Sequence, residues 1–259
     1  MEQKRQKAPQ YVKAQNQSAE RPATFIFLHG YGDDADGFIN VAHQFQSAHK
    51  LPHLSWIFPN APHNHEANTT AWYSLSSISF SPIPVGSSSS PSHEATEEDE
   101  CDESAESDDE IWGSVAYTEG LIEKEVEKGV DVGRIVVGGF SQGCAVSLIL
   151  GLAGRYKGKL GGLVGLSGYL PKGKRVWEGR EELRVSRKKE EGGEMKVLLG
   201  HGTKDMLVPV RIFRETKERI VFTVGEDRVE GYEYQGLGHT ANGAMFRDMY
   251  NFLEKVIPE

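Results

Sequence analysis

Five short, mostly apolar runs recur along the chain, TFIFL at 24–28, LSWIF at 54–58, RIVVG at 134–138, GLVGLS at 162–167 and KVLLG at 196–200, followed by a more polar run at 229–234. Continuous apolar runs of this length are what strands buried on both faces of a parallel sheet look like. Between them lie stretches with helical spacing, at about 35–49, 114–128, 144–152 and 210–222. A closing helix carries Met245, Met249, Phe252, Leu253 and Val256 on one side. Strands alternating with helices predict an α/β fold, a mostly parallel central sheet with helices on both faces.

Two segments break the pattern. Residues 1–21 are polar and basic and are expected to be an arm without structure. Residues 76–110 turn serine-rich and then acidic, with 11 acidic residues and no basic one between Glu94 and Glu110. Such a stretch buries too little apolar surface to fold alone and reads as an insertion. A third stretch, 172–194, holds eight basic and six acidic residues and is expected to be an exposed helical excursion. The remainder, 22–259, is read as one domain carrying these two insertions.

Charge and cysteine content narrow the class. The net charge of −9 resides in the acidic insertion, since 27 acidic residues face 29 basic ones elsewhere. No nucleic-acid footprint follows from that balance. No 18-residue apolar span or secretory leader is visible, and two cysteines, Cys101 and Cys144, form no disulfide framework. A cytoplasmic protein is the expectation.

The chemistry is sought at the carboxyl ends of strands, where reactive groups collect in such sheets. The run 134–138 leads through Gly139-Phe140-Ser141-Gln142-Gly143 into an apolar helix. With 29 glycines in 259 residues the pentapeptide itself is weak, but between a strand and a helix it has the form of a nucleophile elbow. Glycine on both sides leaves room for a tight turn, and the helix start supplies free N–H groups beside Ser141. Asp205 follows the run 196–200, and His239 follows 229–234. Of nine histidines, His239 alone follows both serine and aspartate. The order Ser…Asp…His is that of the α/β-hydrolases.

In that arrangement His239 takes the Ser141 proton, Asp205 orients the imidazole, and the main-chain N–H groups of Tyr31 and Gln142 receive the oxyanion. His29, in the loop after 24–28, is read as a loop-ordering side chain. Trp72 and Tyr73 lie at the same end of the sheet, as core packing or as the wall of an acyl pocket; substrate contacts are expected from Trp72 and Leu207. No metal or organic cofactor is needed, and His63 and His65 lack further ligands at a matching spacing.

Other readings remain. Gly30-Tyr31-Gly32-Asp33-Asp34-Ala35 formally fits a dinucleotide fingerprint, but two aspartates would face the pyrophosphate. An idle α/β-hydrolase-fold protein that binds acyl groups or small ligands would be expected to have lost a triad position, and none is lost.

These residues resemble the acyl-protein thioesterase, lysophospholipase and carboxylesterase family of small α/β-hydrolases, through FIFLHGYGDDADGF (25–38), FPNAP (58–62), AWYSL (71–75), VDVGRIVVGGFSQGCAVSL (130–148), GLVGLSGYLP (162–171), LLGHGTKDMLVP (198–209) and LGHT (237–240). The resemblance implies Ser141, Asp205 and His239 as triad and Tyr31 and Gln142 as donors. It implies S-acylated proteins, lysophospholipids or small acyl esters as substrates, with transient contact at a membrane surface. Ser74 stands where the family usually has an aspartate.

Overall fold

The computed structural model describes residues 6–74, 108–188 and 195–259. Its seven-stranded sheet is built from β1 (Gln10–Val12), β2 (Ala23–Leu28), β3 (Leu54–Phe58), β6 (Ile135–Phe140), β7 (Gly162–Leu166), β8 (Lys196–Gly202) and β9 (Val229–Tyr234). The spatial order is β1-β3-β2-β6-β7-β8-β9, parallel throughout except that β1 runs antiparallel to β3. A small antiparallel hairpin, β4 (His63–Asn64) with β5 (Thr69–Thr70), stands apart.

Alternation along each strand divides the core in two. Phe25 and Phe27 of β2, with Trp56, Val136 and Leu198, face α1 (Asp36–Ser47) and the closing helix α6 (Gly243–Val256). Ile26 and Leu28, with Ile57, Val137 and Leu199, face α2 (Asp108–Glu127), α3 (Gln142–Ala153), α4 (Lys174–Lys188) and α5 (Val210–Val224). The period of two in the strand thus places helices on both faces, as the apolar runs predict.

Three expectations change. The arm expected to lack structure contributes β1, whose Tyr11 pairs with Ile57, and Asn16 N–H donates to the Pro52 carbonyl. Three residues are too few to show a sequence period. Helix α2 begins at Asp108, so the end of the acidic run is helical; the rest of the insertion, with Cys101, lies outside the described residues. The charged stretch after 172 is a structural layer, because α4 packs against α3 and α5. Val176 and Leu183 are buried, and Arg180 is buried while donating to Thr223 Oγ1 and the Arg219 carbonyl. A narrow apolar stripe among many charges hides this face from composition.

No helix among the described residues is long and apolar enough to cross a membrane.

Candidate active site

Ser141 follows the last residue of β6 and precedes the first of α3, with φ 54° and ψ −117°. That backbone is strained for a residue with a side chain and persists only where its surroundings enforce it. They do so here by close approach. A Cβ on Gly143 would stand 2.4 Å from the Leu28 carbonyl oxygen, and one on Gly139 would stand 2.4 Å from the Gly143 carbonyl carbon. The Ser141 N–H donates to the Leu166 carbonyl at 2.8 Å, which ties the turn to β7.

Asp205 lies just past β8. Its Oδ1 accepts the N–H groups of Leu207 and Val208, both at 2.9 Å, leaving Oδ2 to accept from His239 Nδ1 at 2.7 Å. A proton on Nδ1 makes Nε2 the acceptor of the neutral ring, and Nε2 stands 2.9 Å from Ser141 Oγ. The structure therefore brings the three residues into one hydrogen-bonded chain. Burial opposes charge on Asp205, yet the bonds from His239 and the Val208 N–H outweigh it and hold the carboxyl below its ordinary value. The loops carrying these groups are joined by Lys204 N–H to the Leu237 carbonyl and Thr203 N–H to the Tyr234 carbonyl. The Phe140 ring packs 5.0 Å from that of His239.

The loop after β2 closes the other side. A Cβ on Gly30 would lie 3.4 Å from Ser141 Cβ, so this loop runs directly beside the serine. His29 is 2 % exposed; its Nδ1 donates to the Gly30 carbonyl at 2.7 Å, and its Nε2 accepts the Ala61 N–H at 3.0 Å. Burial pushes its pKa below the ordinary imidazole value, which suits a neutral ring that both donates and accepts. Among the described residues, the main-chain N–H groups of Tyr31 and Gln142 meet no acceptor.

Trp72 borders a cavity lined also by Pro62, His63 and Tyr117, and Ser141 is not among the residues that line it. Trp72 is 1 % exposed, its indole N–H donates to the His29 carbonyl at 2.8 Å, and its main-chain N–H donates to Gln142 Oε1 at 2.8 Å. A tryptophan at a strand-end turn gives no sequence signal separating a wall from a support. Leu207, by contrast, is 67 % exposed beside Asp205.

Two participants escaped the sequence. His201, wholly buried, donates Nε2–H to the Val208 carbonyl at 2.8 Å and lies 3.5 Å from Asp205 Oδ2; its place four residues before Asp205 was the available hint. The Gln142 side chain also donates to the Tyr73 carbonyl at 2.6 Å, turning away from the serine. Cys144, close behind Ser141, has its thiol pushed up to about 12 by burial and is no rival nucleophile.

With this geometry in place, the comparisons give a consistent picture. A family model described as Phospholipase/Carboxylesterase matches residues 10–89 and 97–257. A protein named acyl-protein thioesterase 1 from Yarrowia lipolytica is 31% identical over 246 residues, covering 93% of this chain and 95% of that protein. Its namesake from Schizosaccharomyces pombe is 30% identical over 247 residues, covering 93% and 94%. The crystal structure of Zea mays acyl-protein thioesterase 2 superposes with a TM-score of 0.68 at 21% identity, covering 96% of this chain and 98% of that one, a likeness of fold.

Proposed function

Since the chain belongs to the phospholipase/carboxylesterase family of α/β-hydrolases, we propose that it cleaves acyl thioesters and esters through an acyl-enzyme on Ser141, with S-acylated proteins as its main substrates. The observation that carries this reading is the chain from Ser141 Oγ to His239 Nε2 at 2.9 Å and from His239 Nδ1 to Asp205 Oδ2 at 2.7 Å.

The chemistry follows from the groups present. An alcohol is a weak nucleophile near pH 7, so His239 Nε2 removes the Ser141 proton as Oγ attacks the acyl carbonyl. Asp205, already ionised and anchored by two main-chain N–H groups, stabilises the imidazolium that forms. The carbonyl oxygen becomes an oxyanion received by the free Tyr31 and Gln142 N–H groups at the positive end of α3, each donor contributing about 3 kcal/mol in comparable sites. His239 then gives its proton to the departing thiol or alcohol. Water enters, loses a proton to the same nitrogen, attacks the acyl-enzyme and releases the acid.

Oxygen esters, including lysophospholipids, pass through the same intermediates, and the relatives named acyl-protein thioesterase favour the thioester. Ser74, at the position where the family pattern has an aspartate, receives the Asn64 amide on its hydroxyl and donates its N–H to Glu110.

The test is fluorophosphonate labelling read by intact mass, with hydrolysis of a series of acyl chains as thioesters and oxygen esters. Stoichiometric labelling of the wild type, lost in Ser141→Ala, with preference for long-chain thioesters, is the expected result. Folded protein that takes up no label overturns the serine mechanism.

A further inference from the structure

The two proposed oxyanion donors belong to different elements, the loop after β2 and the start of α3, and something must fix the distance between them. Trp72 touches both. Its main-chain N–H is held by the Gln142 side chain at 2.8 Å, and its indole N–H holds the His29 carbonyl at 2.8 Å, two residues before Tyr31. The His29 ring lies 5.1 Å from the indole and passes the constraint on through its bond to the Gly30 carbonyl. The Trp72 carbonyl is committed as well, accepting from Ser114 Oγ on α2. Every polar group of this residue is thus engaged, in a residue that is 1 % exposed.

Resting on the serine-hydrolase reading above, we propose that Trp72 is a positioning residue that sets the separation of the Tyr31 and Gln142 N–H groups, acting as a strut between the oxyanion loop and the elbow helix. Such donors work because they are held where the oxyanion will form, with no reorganisation at the moment of reaction. A displacement near 1 Å is enough to lose much of their effect. The strut does not touch the substrate, so it acts on the transition state and leaves ground-state binding alone.

Trp72→Phe keeps most of the buried ring and removes the indole donor. The expected result is a fall in kcat of about 10- to 100-fold with KM changed by less than about twofold. A trifluoromethyl ketone, whose tetrahedral adduct on Ser141 places an oxyanion in the same position, loses affinity in parallel. Gln142→Met removes the other anchor of the strut and keeps the Gln142 main-chain N–H. The two changes break one device, so the double variant should be no slower than the slower single one.

A packing role alone would lower thermal stability and leave kcat per folded molecule and ketone affinity intact, and that outcome overturns the proposal. Additive losses in the double variant overturn it too. Should Trp72→Phe fail to fold, Gln142→Met read by the same two constants decides, and unchanged values reject the strut. A wild type that neither labels nor hydrolyses overturns the serine mechanism and the strut together, whereas an active wild type with an indifferent Trp72→Phe rejects the strut alone.

Discussion

His201 Nε2 stands 3.5 Å from Asp205 Oδ2, the oxygen that accepts the His239 Nδ1 proton at 2.7 Å. The other oxygen of Asp205 is filled by the Leu207 and Val208 N–H groups. The carboxylate is therefore oriented by three donors, two main-chain N–H groups on one oxygen and His239 on the other, and its two oxygens are not interchangeable.

That asymmetry determines what Asp205→Asn will do. The amide oxygen must take the place of Oδ1, where two N–H groups demand an acceptor, so the NH2 group faces His239. The imidazole then turns to the other tautomer and presents Nε2–H to Ser141, a donor where a base is required. A fall in kcat of about 10³- to 10⁴-fold with an intact near-UV circular dichroism spectrum is expected. Ester hydrolysis at the wild-type rate would exclude the role proposed for Asp205.

Gly143→Ala tests the packing beneath the serine. The new methyl would meet the Leu28 carbonyl oxygen at 2.4 Å and the His29 carbonyl oxygen at 2.5 Å, both backbone groups of a strand end and the loop that follows it. We expect a loss of about 1–3 kcal/mol in urea unfolding. Gly238→Ala, whose methyl finds the Lys204 carbonyl oxygen 3.9 Å away, should stay within about 0.5 kcal/mol of wild type. Equal stability of the two variants would count against the close approach.

These contrasts show which parts of the molecule the chain discloses. The run at 54–58 coincides with β3 because a buried strand has a local signature, and the half-buried, more polar run at 229–234 coincides with β9. Ser141, Asp205 and His239 could be nominated because each follows a strand of the parallel sheet, so the topology brings them to one end of it. What was not legible depends on distant partners. Trp72 has the same local sequence whether it lines a pocket or supports a loop, and its bond to His29 spans 43 positions. Helix α4 is charged enough to look exposed, and only the position of α3 and α5 shows where Val176 and Leu183 go.

Two buried histidines make stability depend on pH. Burial pushes His29 and His201 below the ordinary imidazole value of 6.5, so each binds protons more weakly folded than unfolded. Their contribution is complete above 6.5 and declines as the pH drops below it, when the unfolded chain takes up protons the native protein refuses. The slope is about 1.4 kcal/mol per pH unit for each histidine. Asp205 acts in the same direction in a lower window: its depressed pKa supports the fold above the ordinary carboxylate value of 3.8, and that support is lost as the pH falls from there through its lower folded value. Urea unfolding at pH 7, 6 and 5 should show the histidine slope, reduced by one proton in His201→Gln. An unchanged slope in that variant would remove His201 from the account.

By drawing the Leu207 and Val208 N–H groups onto one oxygen, Asp205 turns the following loop so that Val208 is buried while Met206 and Leu207 remain 87 % and 67 % exposed. An apolar side chain held outward next to Asp205 gains nothing from folding, but it would gain from an acyl chain laid across it. Burying a methylene contributes about 0.8 kcal/mol and a whole leucine side chain about 1.5–3 kcal/mol. Partial cover of Leu207 by a long chain therefore corresponds to roughly a fivefold effect on affinity. Leu207→Ser should raise KM for a sixteen-carbon thioester by about that factor and leave kcat/KM for a two- or four-carbon ester unchanged, because a short acyl group does not reach the side chain. Thermal stability should hardly move, since the residue is exposed. A KM that rises equally for short and long chains would mean that the substitution disturbs Asp205, and Leu207 would then lose its place on the substrate path.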